Sequence, residues 1–198
     1  MNRGLEKAKA NGVDLSKWRS VITHMEARYG DLGGLREFGA EKGLEVSEAD
    51  VRYAELAIFK KAYRTVKERG YHSKMLSCSL RLGPTIDGKQ QIWHLEEKAG
   101  ASIVVTCPPS LIDEVINFPR ADEIKFKPNQ IDVDPPKEVM DKLMRIPYFE
   151  RAYDENGYTR AEYNTHPALV KTHEAFCKAT NEMVAFADSC LKGNCRVD

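Results

Sequence analysis

The chain has 198 residues, 42% of them hydrophobic and 30% charged, so it can bury a core and is not disordered throughout. Thirty basic residues balance thirty acidic ones and the formal net charge is +0, which removes the basic surplus that sequence-independent nucleic-acid binding requires. The longest apolar run, Met183 to Ala187, is far short of the ~18–20 residues that cross a bilayer, and the N-terminus, Met1 to Lys7, has mixed charge and leads to no apolar signal core. Five cysteines at irregular spacing in a chain of this size are expected to be reduced thiols in an intracellular, cytoplasmic protein, with a plastid location left open.

The elements follow in chain order. Trp18, Val21, Ile22, Met25 and Ala27 lie at helical spacing with Ser16 as a cap, which predicts a helix over 16–29. Gly30, Gly33, Gly34 and Gly43 punctuate the next stretch, leaving room for a short helix over 35–42. Ser47 with Asp50 three residues on resembles a capping box. Behind it Val51, Ala54, Leu56, Ala57, Phe59, Ala62, Tyr63 and Val66 form a broad apolar helical face that Gly70 terminates. Residues 73–80 read as a strand bounded by Gly83-Pro84, 88–98 as a helix burying Ile92, Trp93, Leu95 and Ala99, and 101–107 as a fully buried strand stopped by Pro108-Pro109. A helix starts at Ser110 to Ile116. From 117 to 164 five prolines break the pattern, apart from a short helix over 137–144. A long amphipathic helix then runs from Pro167 to about Leu191. The aromatics Phe59, Tyr63, Trp93, Phe176 and Phe186 fall in helical segments and are expected to pack in the core.

Helix, strand, helix, strand, helix at ~30-residue spacing is the signature of parallel βαβ units. Two strands alone do not make a stable sheet, so the chain reads as part of a larger one. Along 73–81, Met75, Ser77, Ser79 and Arg81 share one face, and Lys74, Leu76, Cys78 and Leu80 the other. Ser79 and Arg81 fall at the strand's C-terminal end, where parallel sheets bind ligands. A hydroxyl and a guanidinium two residues apart can converge on one anion; an arginine at a strand end is equally at home in solvent or against a carboxylate. The five histidines, His24, His72, His94, His166 and His173, do not form a metal set by spacing. His173 and Cys177 are four apart on one helix, but no second pair accompanies them.

Lys67-Glu68-Arg69-Gly70-Tyr71-His72-Ser73-Lys74-Met75-Leu76-Ser77-Cys78-Ser79-Leu80-Arg81 resembles the transaldolase stretch K-E-x-G-Y-x-T-x-V-M-G-A-S-F-R. The segment Ala99 to Ile112, with Ala99-Gly100-Ala101-Ser102-Ile103-Val104-Val105-Thr106-Cys107-Pro108, is similar to that family's A-G-C-D-x-L-T-I-S-P-x-L-L, in the same order. The resemblance is strongest over about 50–120; residues 165–191 match the family's C-terminal helix in pattern, and Gly12, Leu15, Ser16 and Trp18 weakly match a G-R-I-x-D-W segment.

The resemblance implies a helix-rich α/β fold: a partial TIM (β/α)8 barrel of the transaldolase type, with two parallel strands placed at about 73–80 and 101–107. It implies one transaldolase-like domain over 1–198, with the N-terminal barrel half absent. The implied reaction transfers a dihydroxyacetone unit between sugar phosphates, in the non-oxidative pentose phosphate pathway. It proceeds through a lysine Schiff base without metal or organic cofactor. Ser79 and Arg81 inherit the role of binding the substrate phosphate. No catalytic residue is assigned, because the Schiff-base lysine segment and the acid/base carboxylates have no counterpart here. Lys74, the only lysine in the strand, opposes Ser79 in parity and is expected to face the helical layer. The chain alone is therefore expected to be inactive, its partners being a sugar phosphate and a complementary barrel half or a second copy of itself. The alternative is a non-catalytic phosphosugar-binding or interaction protein derived from a half barrel; a truncated gene product is a third possibility.

Overall fold

A computed structural model of the chain describes residues 10–12, 20–25, 31–78, 80, 82–119 and 121–193. Five strands and seven α-helices lie among these residues. The strands are β1 (Ser20–Met25), β2 (Ser73–Cys78), β3 (Thr85–Ile86), β4 (Lys89–Gln90) and β5 (Val104–Val105). The helices are α1 (Asp31–Glu41), α2 (Glu48–Glu68), α3 (Trp93–Glu96), α4 (Pro109–Ile116), α5 (Lys137–Leu143), α6 (Pro147–Tyr153) and α7 (Pro167–Leu191). The fold is thus mixed and helix-rich α/β. The chain divides into two compact units, one of Met1–Glu26 with Glu55–Pro135, the other of Ala27–Ala54 with Pro136–Asp198.

The first unit is built on a parallel three-stranded sheet in the order β1-β2-β5. β1 pairs with β2 from Ser20↔Ser73 to Met25↔Cys78, and β2 pairs with β5 through Leu76↔Val104 and Ser77↔Val105. The amide of Thr106 donates to the carbonyl of Ser77 at 3.0 Å and carries the second pairing one step further. The helix expected over 16–29 is therefore corrected to a strand over its described part, Ser20–Met25. Val21, Ile22 and Thr23 are consecutive β-branched residues, stiff at χ1, and a six-residue parallel ladder outweighs a helical spacing that they also satisfy. Leu15, Ser16 and Trp18 lie outside the described residues.

The two expected strands are also shorter than read, ending at Cys78 and covering only Val104–Val105. The second is not buried: Val104 is 43% and Val105 38% exposed. The helix expected over 88–98 shrinks to one turn, Trp93–Glu96, preceded by an antiparallel hairpin of β3 and β4. The cause is Asp87-Gly88, with φ of +50° and +72°, the left-handed pair that a tight two-residue hairpin turn requires.

Phe59 of α2, Met75 of β2 and Ile131 form a buried cluster, flanked by Ala62, Tyr63, Val66, Ala101 and Ile103. The helical layer thus lies on the Met75–Ser77 face of β2, and Lys74 is exposed; the expected facing of Lys74 toward the helices is reversed. Gly100, at φ +87°, permits this packing, since a Cβ there would overlap the carbonyl oxygen of Pro128.

In the second unit the capping box forms as expected. The Ser47 amide and hydroxyl donate to Asp50 Oδ2 at 2.8 and 2.7 Å, and the Asp50 amide donates to Ser47 Oγ at 3.1 Å. Lys142 Nζ of α5 closes on the same carboxylate. Burial alone raises the Asp50 carboxyl, but the hydrogen bonds from Lys142 and Ser47 outweigh it and hold the group below its ordinary 3.8. A lowered carboxylate contributes stability above its unfolded value and loses it as pH falls through the folded one. Asp50→Asn is therefore expected to cost ~1–2 kcal/mol near neutral pH. Its deficit relative to the wild type should shrink below about pH 4, read by denaturant melts at each pH. A deficit constant down to pH 2 would contradict this ion-pair account.

A second box joins Thr159 and Glu162. The Thr159 amide, the Arg151 guanidinium and the Thr159 hydroxyl all donate to this carboxylate and lower it to about 2. The expected helices over 35–42, 110–116, 137–144 and 167–191 are present as α1, α4, α5 and α7. Phe176 and Phe186, expected in the core, are instead 60% and 57% exposed on α7. Cys190 is disulfide-bonded, against the expectation of reduced thiols throughout, while Cys78, Cys107 and Cys177 are free. An odd cysteine count still accommodates one pair.

Candidate functional site

The C-terminal end of the central strand β2 leads into the segment for which the family resemblance implies phosphate binding. Ser79 and Arg81 themselves lie outside the described residues. What surrounds them in sequence is described. Ser77 and Leu80 are almost fully buried, at 0% and 1% exposure. The described part of the strand, Ser73–Cys78, leads directly into Ser79 and Arg81.

Behind this strand end sits a cluster of charged side chains that the sequence did not single out. Lys98 Nζ donates to Ser77 Oγ at 3.0 Å and to Glu55 Oε1 at 3.3 Å, and lies 4.5 Å from the centroid of the Phe59 ring. His94 Nδ1 stands 3.5 Å from Glu55 Oε2. All four polar residues are at most 7% exposed. Ionised groups this deep are stable only when paired and hydrogen-bonded; the Lys98 ammonium meets both conditions, while Glu55 Oε2 and His94 Nδ1 face each other without a hydrogen bond. The helix α2 places Glu55 and Phe59 four residues apart on one face, and α3 with its following turn does the same for His94 and Lys98. The cluster therefore locks the helix face to the C-terminal end of β2 through the Ser77 hydroxyl.

Lys60 forms a second buried cation. Its Nζ donates to Glu97 Oε2 at 2.6 Å and to the carbonyls of Gln130 and Val133 at 3.0 and 2.7 Å. Glu97 is steadied in turn by the Gln130 amide at 3.1 Å. A readable signal existed for this residue: Lys60 falls in line with Leu56 and Tyr63 on the apolar face of α2. For Lys98 no such signal existed, because the segment around it is a turn.

Among the described residues no group of three or more His, Cys, Asp and Glu is placed to hold a metal ion. Cys177 Sγ lies 3.7 Å from His173 Nε2 on the exposed face of α7, with no further ligand type gathered there. No helix among the described residues is long and apolar enough to cross a membrane. No protein-family model, curated protein or solved structure matches the chain.

Proposed function

We propose that this chain is a transaldolase-like protein that binds sugar phosphates through Ser79 and Arg81, following the β2 strand of a partial barrel. The observation that supports the reading most is the sheet itself. Three parallel strands succeed one another in chain order, β1-β2-β5, with helices α1 and α2 in the first connection and α3 in the second. That order of parallel strands also occurs in (β/α)8 barrels, whose ligands bind beyond the C-terminal ends of the strands. β1 adds a third strand to the two that the sequence pattern offered. The resemblance over 67–81 then assigns the hydroxyl and guanidinium to the phosphate, and the planar guanidinium fork suits two phosphate oxygens at once.

In this reading the family reaction, transfer of a dihydroxyacetone unit between sugar phosphates, needs a lysine Schiff base. The described lysines favour a binding role for this chain by itself. Lys60 and Lys98, the two buried ones, are held by carboxylates and other oxygens inside the packing, and Lys74 is exposed. A lysine nucleophile must be neutral, which requires a dry pocket that also admits substrate.

Titration calorimetry with fructose 6-phosphate tests the reading. Arg81→Ala is expected to weaken binding by about 1.5–3 kcal/mol, or roughly 10- to 150-fold, the scale of a charged hydrogen bond. Equal affinity in the variant and the wild type would remove Arg81 from the site.

A further inference from the structure

The other end of β2 carries a cleft of about 420 Å³, within the size range of small-molecule sites. It is formed by the last turns of α2, the turn at Gly70 and the first residues of β2. Its lining includes Tyr63, Lys67, Tyr71, His72, Lys74 and Ser102, and among the described residues that line it none is acidic. Neither the Lys67 nor the Lys74 ammonium group takes part in an ion pair among the described residues. Two cations and an imidazole thus share one concave surface without a counter-ion among the described residues.

A helix C-terminus ordinarily repels anions, because its last carbonyls point outward. Here the end of α2 is closed: the Gly70 amide donates to the Lys67 carbonyl at 3.2 Å, and the Tyr71 amide to the Val66 carbonyl at 3.1 Å. Tyr63 Oη is fixed at the cleft by the Ser102 amide, which donates to it at 3.1 Å. That leaves its own proton free to donate into the cleft. Tyr71 is 51% exposed and offers a ring face at the rim.

We propose that this cleft binds a small phosphomonoester, its phosphate held between Lys67 and Lys74. A phosphomonoester carries about −1.5 to −2 charges at neutral pH, which two ammonium groups match; a single carboxylate leaves one of them unmatched. The Tyr63 hydroxyl supplies a donor, and the Tyr71 ring supplies a surface for the organic part. The cleft lies at the N-terminal end of β2, and Ser79 and Arg81 follow its C-terminal end in the sequence. β2 has six residues, so its two ends stand about 16 Å apart.

The test is a ¹H–¹⁵N NMR titration of the full chain with ribose 5-phosphate, AMP and inorganic phosphate in parallel. The amides of Gly70 to Lys74 and of Ser102 are expected to shift with at least one of the two esters. The paired charge reversal Lys67→Glu with Lys74→Glu should weaken the binding read at these amides at least tenfold. Shifts with AMP alone assign stacking on Tyr71, and shifts with ribose 5-phosphate alone or with both esters assign the phosphate and sugar; each supports the site. The proposal is overturned if neither ester moves these amides, if inorganic phosphate binds as tightly as both esters, or if the charge reversal has no effect. Loss of ester binding in Arg81→Ala with no shift at residues 70–74 would locate the phosphate at the other end of β2 instead. Both lysines are exposed, so the reversal does not threaten folding.

Discussion

Lys98→Met is expected to lower the unfolding free energy by about 3–5 kcal/mol, the scale for removing one partner of a buried ion pair. The ammonium group donates to Ser77 Oγ and Glu55 Oε1 and sits over the Phe59 ring. Methionine fills much the same volume, so packing is nearly conserved and the loss is electrostatic. Glu55, 7% exposed, then loses its lysine partner, with the His94 imidazole at 3.5 Å. The Ser77 hydroxyl loses its donor in a site that water does not reach. The double variant Lys98→Met with Glu55→Gln is expected to recover part of the loss, since the stranded charge is gone. Guanidinium melts of the four proteins give the coupling directly. A loss under ~1 kcal/mol for Lys98→Met would mean that the cluster is solvated and does not hold helix α2 to the strand end.

The second large effect is chemical. Treatment with borohydride in the presence of fructose 6-phosphate is expected to leave the mass of this chain unchanged. Cleavage of the donor's C–C bond leaves carbanion character beside a carbonyl carbon, and a protonated imine is what delocalises it. Ser79 and Arg81 can orient a phosphate, and orientation contributes several kcal/mol, but neither group accepts an electron pair. Lys60 is 0% exposed and its three donor positions go to Glu97 and two backbone carbonyls. Lys98 is occupied as described. A covalent three-carbon adduct on any lysine would overturn the prediction, and peptide mapping would name the nucleophile.

Local signals in the sequence carried far into the fold. The capping box at Ser47 and Asp50, the glycine stop at Gly70, the apolar face of α2 and the long helix from Pro167 all rest on short-range chemistry that a sequence displays. Where two readings share the same residues, long-range pairing decided. Val21, Ile22 and Met25 satisfy a helix and a strand alike, and only the ladder to β2 selects the strand. The Asp87-Gly88 turn was visible as a hairpin signal but was overrun by a helical reading of Ile92, Trp93 and Leu95. The buried charges were illegible for a different reason. Glu55, His94 and Lys98 come together from helix and turn across more than forty residues, and a lysine in a polar turn carries no mark of its burial. The exposure of Phe176 and Phe186 was equally hidden, because an amphipathic pattern states which face is apolar and not what covers it.

The central claim is that the segment after β2 is a sugar-phosphate site. A crystal structure of the chain grown with fructose 6-phosphate tests it most directly. The account predicts the phosphate beyond the C-terminal end of β2, with Ser79 Oγ and the Arg81 guanidinium both within hydrogen-bond distance, about 2.7–3.2 Å, of its oxygens. Arg81 directed into bulk solvent on the opposite side from Ser79, with no phosphate between them, would contradict it.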